Sequence, residues 1–474
     1  LQDHFGFGDH EIMDENEQVA FLLQHGWEIG LDEAARRASS SYGDYCIRFL
    51  KSEAVVNDEM LDLSRVVGAD GTRMFQDLVE RYWDHLSKNR LLTFGRLIRL
   101  CAENLERNPG VLSVEHLIVD EYQDINRAQE AMINAIINRP GIKSSMIVGD
   151  PRQCIYEWRG SDPECFDRFA SVRDTETIQL LSNFRSGSRV VGVANRLAKH
   201  FEGEHLRLTM KPSRADEGVS VVVELPKPED EARWIADQIN ALVTHFGLRY
   251  SDIALLLRSV STSGEKFAEA FKERGIPYLI GGKLGLFKRG EALAMAAVWM
   301  WFADHAWYRG YSDKIPVDHL LGFAAQHWPG RFNVSEIARF REQLRGGSFR
   351  SLIHAYHELL VLMGYKGWDP DDPEDAVCLA NLGRFSQLLL DYEAATWRGG
   401  QKRGWPALLK GLAWFIQTFA QTAYGEQSPD DLPEVDAVQI TTVHQAKGLE
   451  WPVVFVPALT NRRFPSSRAG RQQD

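Results

Sequence analysis

The sequence predicts an α/β fold in which helical insertions interrupt parallel sheets. Two apolar runs, residues 117–119 and 146–148, are each followed by acidic and amide side chains. Such runs are typical of buried strands in open parallel sheets, where ligands bind beyond the carboxyl ends of the strands. Two further apolar runs, residues 219–225 and 253–257, flank a helical pattern and indicate a second parallel unit.

The first third of the chain changes from a helical pattern to an alternating one. From residue 10 to about residue 105 the pattern is mostly helical, and the run Asp14-Glu15-Asn16-Glu17 is a typical helix start. Residues 112–182 alternate strand and helix patterns. Within them, residues 130–138 predict an amphipathic helix that ends at Arg139-Pro140-Gly141.

The second half of the chain opens with the predicted strand–helix–strand unit, whose helix covers residues 230–243. Residues 300–430 predict helices in a region rich in tryptophan and broken by prolines. Residues 438–442 and 453–456 return to a strand pattern. We expect these last strands to complete the sheet of the second parallel unit.

Composition predicts an intracellular enzyme of several domains. The chain has 474 residues, of which 44% are hydrophobic, and this is ample for several cores. The net charge of -12 argues against binding nucleic acid through bulk positive charge but is compatible with a basic groove. No apolar run reaches membrane-spanning length and no signal-peptide pattern opens the chain, so we expect no membrane partner.

Cysteine usage favours a reducing compartment, which we interpret as the cytoplasm. None of the five cysteines has Cys-x-x-Cys spacing, so the sequence predicts neither a disulfide framework nor a zinc site. The cysteines are Cys46, Cys101, Cys154, Cys165 and Cys378.

An acidic pair follows the first predicted strand. Asp120 is placed to hold a magnesium ion and Glu121 to orient or deprotonate water. An isolated acidic pair after a strand is more often a capped turn. The surrounding residues favour a nucleotide site instead, because further amide and acidic side chains follow both predicted strands. These are Gln123 and Asp124 after the first strand, and Asp150 and Gln153 after the second.

Four segments occur in a fixed order along the chain. They are Asp120-Glu121-Tyr122-Gln123-Asp124, the run from Gly149 to Gly160, Asn183-Phe184-Arg185-Ser186, and the run from Thr441 to Glu450. In this order they resemble motifs II, III, IV and V of superfamily 1 helicases, and the closest match is the UvrD, Rep and PcrA group. The resemblance is specific over residues 120–185 and 441–450.

The resemblance implies two RecA-like motor domains with the P-loop NTPase fold and two helical insertions. The implied parts, in order, are helical insertion 1B at residues 1–105, part of motor domain 1A at 106–185, the first part of motor domain 2A at 186–300, helical insertion 2B at 301–432 and the second part of 2A at 433–474. The phosphate loop Gly-x-x-x-x-Gly-Lys-Ser/Thr (Walker A) is not in the sequence, and motif VI would follow residue 474. We therefore expect a fragment that is inactive in isolation.

The resemblance also implies how the cofactors ATP and Mg²⁺ are used. Asp120 would bind the metal and Glu121 would act on the attacking water. Gln123 and Gln153 would sense the γ-phosphate or its water, and Arg185 would reach the γ-phosphate as its charge develops. Taken alone, Arg185 would be an ordinary surface arginine, but its place after two other motifs favours the catalytic role.

Further nucleotide contacts follow from the same resemblance. Phe184 stands where an aromatic side chain stacks on the base. Gly448 and Glu450 of motif V would touch the phosphate and the sugar. Asp124 and Asp150, from motifs II and III, complete the predicted nucleotide-binding set.

Aromatic and polar residues in motifs III and V predict a path for single-stranded DNA. Trp158 is the best candidate for stacking on a base, with Tyr156 and Arg159 beside it, because aromatic faces hold unpaired bases. Thr442 and His444 are predicted phosphate contacts. The alternative for the aromatic pair is core packing, which remains open for Tyr156.

The motif resemblance, together with the acidic pair and the aromatic residues, implies an ATP-dependent DNA helicase or translocase that acts on single-stranded and duplex DNA in repair, replication or recombination. The family resemblance implies 3′-to-5′ polarity, which no residue spacing shows. One alternative is a non-hydrolysing helicase-like DNA-binding or scaffold protein, although the acidic pair, Gln153 and Arg185 argue against it. Another is a motor subunit of a nuclease or defence complex.

Overall fold

A computed structural model describes residues 5–65, 70–108, 110, 112–155, 164–172, 175–201, 208–281, 286–309, 313–397, 404–420, 435–461 and 464. The chain divides into two compact units. Unit 1 contains Leu1–Ile12 and Lys51–Glu224, and unit 2 contains Met13–Leu50 and Leu225–Asp474.

Helices make up most of the described chain. They are α1 (Glu15–Ile29), α2 (Leu31–Arg37), α3 (Tyr42–Asp58), α4 (Asp70–Lys88), α5 (Phe94–Arg107), α6 (Arg127–Ile137), α7 (Cys165–Val172), α8 (Ser188–Ala198), α9 (Pro228–Phe246), α10 (Val260–Glu273), α11 (Gly290–Phe302), α12 (Leu320–His327), α13 (Val334–Arg345), α14 (Leu352–Leu362), α15 (Pro373–Trp397) and α16 (Trp405–Phe415). Within the described part, no helix combines the length and apolar composition needed to cross a bilayer.

The strands are short and form small sheets, most of them parallel. The strands are β1 (Glu11–Met13), β2 (Leu91–Thr93), β3 (His116–Val119), β4 (Ser144–Ile147), β5 (Ser182–Asn183), β6 (Lys211–Pro212), β7 (Ile253–Leu257), β8 (Tyr278–Ile280), β9 (Trp307–Tyr308), β10 (Lys314–Ile315), β11 (Val438–Thr442) and β12 (Val453–Phe455). The pairs β3–β4 and β5–β6 are parallel, and β9–β10 is antiparallel.

The predicted helical start is confirmed. Asp14 is the N-cap of α1, and its side chain accepts a hydrogen bond from the Glu17 amide (2.7 Å) while Glu17 accepts one from the Asp14 amide (3.0 Å). This capping box satisfies two amides that the first turn leaves without helical partners. The helix ends at Ile29 and is capped by Gly30, whose φ of 94° lies in the left-handed region that glycine tolerates best.

The helical part of unit 1 is organised around a buried carboxylate. Glu53 on α3 accepts hydrogen bonds from Asn57 Nδ2 and Trp83 Nε1, each 2.6 Å long. The Arg96 guanidinium lies 3.9 Å from the centre of the Trp83 ring. Because a buried polar group is costly unless it is hydrogen-bonded, these contacts fix how α3, α4 and α5 pack.

Among the described residues, the two-stranded sheet β3–β4 is packed against helices on one face and is exposed on the other. On the packed face the side chains of Tyr122, Ile133 of α6 and Phe169 of α7 form a buried cluster. On the other face, Ile118 is 71% and Met146 is 54% exposed. The prediction of strands here is confirmed, but the prediction that both are buried is wrong. Alternate side chains of a strand point to opposite faces, so a sheet covered on one face buries only half of an apolar run.

Unit 2 contains a four-stranded parallel sheet in the order β12-β7-β11-β8. Helices α9 and α10 cover it, and Ile239, Leu255, Phe271 and Ile440 lie in the shared core. The predicted strands at residues 253–257 and 438–442 are confirmed with the same bounds, and the strand predicted at 453–456 is confirmed as β12.

The strand predicted at residues 219–225 is wrong. The structure assigns no strand there, and Val222 is 96% exposed. Valine favours a pleated and half-buried surface, but that preference yields a strand only where a neighbouring strand offers backbone partners. The predicted helix that follows is confirmed as α9.

The later helices of unit 2 pack around aromatic side chains. Every described residue of α11 except Gly290 and Trp301 is buried, so the helix has no polar face. The hairpin β9–β10 lies between α11 and α12 in the chain and is anchored by the buried Trp307, whose ring meets Phe323 edge-on at 5.9 Å. Over residues 300–309, 313–397 and 404–420, the described part of the range 300–430, the predicted helices are therefore confirmed, and one small hairpin lies among them.

Candidate active site

The ends of β3 and β4 place two loops side by side. In the parallel register Val119 pairs with Ile147. Beyond the last pair the loops remain connected, because the Val148 amide donates to the Val119 carbonyl (2.8 Å) and the Tyr122 amide donates to the Val148 carbonyl (3.0 Å). The segments that follow the two strands are therefore held at one edge of the sheet, as parallel pairing requires.

Asp120 presents one carboxylate oxygen outward. Its Oδ1 accepts a hydrogen bond from the Glu121 amide (2.8 Å), and Oδ2 has no partner within the described part of the chain. Magnesium prefers carboxylate oxygens and keeps several of its own waters. An exposed carboxylate with one oxygen held and the other available fits that ion.

Glu121 has an unusual backbone conformation. Its φ of 50° is left-handed, which few residues other than glycine adopt and which is common at strained functional positions. Its carboxylate Oε2 accepts a hydrogen bond from Gln123 Nε2. This bond orients the carboxylate, whose side chain is exposed at the edge of the sheet.

Gln123 is fully buried and uses both ends of its amide. Nε2 donates to Glu121, and Oε1 accepts from the Asp150 backbone amide (3.0 Å). The side chain therefore connects the segment after β3 with the segment after β4.

Asp150 is held as a carboxylate by its neighbours. Its oxygens accept from the Arg152 amide (3.1 Å), from Arg152 Nε (2.9 Å) and from Gln153 Nε2 (3.2 Å). Burial acts to raise the pKa of Asp150, but these hydrogen bonds and the Arg152 charge lower it below its ordinary value. Gln153 itself is exposed, and Asp124 lies in the short helical turn after Glu121.

Phe184 and Arg185 project from a turn directly after β5. The Asn183 side-chain oxygen accepts from the amides of Arg185 (3.1 Å) and Ser186 (2.9 Å), and Arg214 Nη1 donates to the Arg185 carbonyl (2.9 Å). Phe184 is 74% exposed. A rigid turn thus presents an aromatic ring and a cation next to each other.

In unit 2, the end of β11 lies beside the end of β7. Thr442 pairs with Leu257, and the Val443 amide donates to the Leu257 carbonyl (2.9 Å). The Thr442 hydroxyl donates to Gln445 Oε1 (3.3 Å) and accepts from the Gln445 amide (3.2 Å). These bonds fix the turn that follows β11.

Arg258 follows β7 and reaches His444, which follows β11. Its Nη1 lies 3.3 Å from His444 Nδ1 and 3.4 Å from Nε2. Burial and the neighbouring Arg258 charge lower the pKa of His444 below its ordinary value. A guanidinium has donors only, so the contact requires a neutral imidazole.

Sequence reasoning missed Arg258. The pattern that could have identified it is its position immediately after a strand that neighbours β11 in a parallel sheet.

The predicted residues therefore fall into separate groups. Asp120, Glu121, Gln123, Asp150 and Gln153 form one hydrogen-bonded set in unit 1, with Phe184 and Arg185 on a separate turn of the same unit. Thr442, His444, Gly448 and Glu450 lie in unit 2, where Gly448 has φ 85° and Glu450 is exposed. Tyr156, Trp158 and Arg159 lie outside the described residues.

Two family models match the chain. Residues 9–173 match the UvrD/REP helicase N-terminal domain, and residues 178–303 and 333–474 match the UvrD-like helicase C-terminal domain. The segment between the two matched parts of the second model contains the hairpin β9–β10 and α12.

Curated relatives agree with the family models. The chain is 27% identical over 510 residues to the ATP-dependent DNA helicase UvrD1 of Mycobacterium tuberculosis, covering 97% of this chain and 65% of the relative. It is 26% identical to the ATP-dependent DNA helicase PcrA of Staphylococcus epidermidis, covering 85% and 58%. It is 25% identical to DNA helicase II of Escherichia coli K12, covering 97% and 66%. The chain thus spans about two thirds or less of the length of these relatives.

Proposed function

The chain belongs to the UvrD-like helicase family, and from that membership we propose that it is the motor of an ATP-dependent DNA helicase or translocase. The observation that carries the proposal is the hydrogen-bonded set at the ends of β3 and β4. It joins an acidic pair, one member of which has an available oxygen, to the amide and acidic residues of the neighbouring loop. ATP hydrolysis needs such a combination of metal ligand, water-orienting group and polar contacts.

Each side chain of the set has a role in this proposal. Asp120 holds a magnesium ion, which neutralises charge on the phosphates. Glu121 orients the attacking water and takes its proton, and Gln153 contacts the γ-phosphate or that water. Arg185 contacts the γ-phosphate, and the exposed ring of Phe184 stacks on the base.

The same proposal extends to the second group of residues. Gly448 and Glu450 of unit 2 contact the phosphate and sugar of the nucleotide, and Asp124 belongs to the nucleotide-binding set. The two motor domains are RecA-like, with 1A at residues 106–185 and 2A at residues 186–300 and 433–474. Helical insertions 1B and 2B occupy residues 1–105 and 301–432.

Single-stranded DNA is the proposed track, with duplex DNA as the substrate that is unwound. Trp158 stacks on a base with Tyr156 and Arg159 beside it, and Thr442 and His444 contact phosphates. The names of the relatives, which are DNA helicases, support a DNA substrate. Translocation runs 3′ to 5′ in this proposal and serves repair, replication or recombination.

The test is ATP hydrolysis by the full-length protein with and without single-stranded DNA, for the wild type and for Glu121→Gln. Loss of the group that activates water should lower kcat by about 10²- to 10⁴-fold, with DNA binding retained. Glu115→Gln is the matched control, because Glu115 is an exposed glutamate of unit 1 that pairs with Lys143 (2.8 Å). If the wild type binds DNA but does not hydrolyse ATP, the proposed motor is wrong and the protein is a non-hydrolysing DNA-binding protein.

A further inference from the structure

We infer that Gln123 is a positioning residue whose buried amide couples Glu121 to the loop after β4, rather than a group that contacts the nucleotide. The inference rests on the proposed function and adds a connection within its site. The amide bridge consists of the Glu121 carboxylate, the Gln123 side chain and the Asp150 backbone amide.

The burial of Gln123 supports this role. Its side chain is 0% exposed, and each end of the amide has a partner on a different loop. Only a side chain with both a donor and an acceptor at this length makes the two bonds at once. A glutamine in this position leaves no polar atom directed to solvent, where a nucleotide would bind.

Gly149 provides the space that the amide bridge occupies. A β-carbon at this position would overlap Gln123 Oε1 and would lie 2.8 Å from Phe166 Cζ and 3.1 Å from the Tyr122 amide nitrogen. The backbone of Gly149 is not left-handed, so the requirement for glycine comes from the space that the neighbours fill. Glycine at position 149 therefore leaves room for the Gln123 amide, the Phe166 ring and the Tyr122 backbone.

The bridge continues on both sides. On one side it orients the carboxylate of Glu121, a residue whose backbone is left-handed. On the other side, the Asp150 carboxylate binds Arg152 and Gln153. A displacement of the loop after β4 is thus transmitted to Glu121 through one side chain. Residues 156–159, which carry the predicted base contacts, come shortly after Gln153 in sequence.

The first test replaces the amide without changing its size. Gln123→Met in the full-length protein removes both hydrogen bonds and keeps an unbranched side chain. We expect kcat for ATP to fall by about tenfold or more, since small displacements of catalytic groups have large effects. The KM for ATP should change little. The ratio of the ATP hydrolysis rates with and without single-stranded DNA should fall towards one. Gln179→Met is the control, because Gln179 is an exposed glutamine of unit 1.

The second test uses Gly149→Ala, alone and combined with Gln123→Met. If both residues act through the amide bridge, Gly149→Ala should give the same loss of kcat and DNA stimulation, and the double variant should lose little more than either single one. Thermal unfolding of every variant separates this result from a general loss of folded protein. If one single variant does not fold, the other decides by the same kcat, KM and stimulation values.

The possible outcomes are distinct. If the wild type hydrolyses ATP and Gln123→Met has the same kcat and the same stimulation by DNA, the inference is wrong but the proposed function stands. Losses that add in the double variant, or that follow only the loss of folded protein, also overturn it. A wild-type protein that does not hydrolyse ATP overturns the proposed function, and the inference falls with it.

Discussion

The pairing of Arg258 with His444 predicts how DNA binding responds to salt and pH. Both side chains follow neighbouring parallel strands, and Arg258 Nη1 lies 3.3 Å from His444 Nδ1. If Thr442 and His444 bind phosphates, the exposed Arg258 guanidinium lies close enough to contribute a charge to the same track. Arg258→Ala should therefore weaken binding to single-stranded DNA.

The size of the effect follows from counterion release. When a single strand is bound through one phosphate fewer, the slope of log Kobs against log salt decreases by about 0.7, which corresponds to about fivefold weaker binding at roughly 0.1 M salt. The pH dependence should change as well, because burial and the Arg258 charge together lower the pKa of His444 and the substitution removes the second cause. In Arg258→Ala the pKa of His444 rises towards its ordinary value, so as the pH falls from about 8 to about 6 more of the imidazole is protonated than in the wild type. Because the protonated imidazole supplies a positive charge to the DNA phosphates, the loss of DNA binding in Arg258→Ala should be smaller at the lower pH.

The assay is fluorescence anisotropy with a labelled oligonucleotide, titrated at several salt concentrations and at the two ends of that pH range. Arg233→Ala is the matched control, since Arg233 is an exposed arginine of the same unit that pairs with Asp230 on α9 (2.6 Å). An unchanged salt slope in Arg258→Ala would remove Arg258 from the DNA track. A defect of the same size at both pH values would refute the coupling to His444.

Two further predictions concern the pH dependence of stability. Burial raises the pKa of Glu53 despite hydrogen bonds from Trp83 and Asn57, so the folded state favours the protonated form and stability is lost as the pH rises through the raised pKa. At about pH 8 the thermal unfolding midpoint of Glu53→Gln should be no lower than that of the wild type. Trp83→Phe should lose about 1–3 kcal/mol of unfolding free energy. A large loss of stability in Glu53→Gln would contradict this reasoning. At Asp304, burial acts to raise the pKa, but hydrogen bonds from Arg345 and Arg341 lower it, so its contribution is present at neutral pH and lost as the pH falls through the lowered pKa. Asp304→Asn, which suits the left-handed φ of 54°, should cost about 0.5–1 kcal/mol at neutral pH in urea unfolding, and a difference that persists below the lowered pKa would refute the assignment.

The sequence predicted the local structure well where the pattern and the tertiary partners agree. The strands β7 and β11 have the predicted bounds, and the capping residue Asp14 begins α1. Residues 219–225 have an equally strong strand pattern, but no neighbouring strand pairs with them in the described chain. Side-chain preference describes what a strand would bury, and it does not supply the backbone partners that make one.

The sequence predicted which residue types form the candidate site, but it did not predict the hydrogen bonds that join them. The motifs identified Gln123 as a polar residue of the site, but its burial and its bond to the Asp150 amide depend on how closely two loops approach. The need for glycine at position 149 likewise comes from neighbours outside its own loop, namely Gln123, Phe166 and the Tyr122 backbone, which fill the space beside it. These contacts join atoms that are distant in sequence, so they cannot be predicted from the spacing of residues within one motif.

The same geometric device joins distant residues in both units. In unit 1 the amide bridge connects residues that follow β3 and β4, and in unit 2 Arg258 and His444 follow β7 and β11. Parallel pairing brings the carboxyl ends of neighbouring strands to one edge, so a side chain after one strand meets the loop after the next at hydrogen-bond distance. The separation in sequence is set by the intervening helices and insertions and has no effect on this meeting. It follows that insertions between two such strands can lengthen without disturbing the connection, whereas a one-residue shift in the strand register would break it.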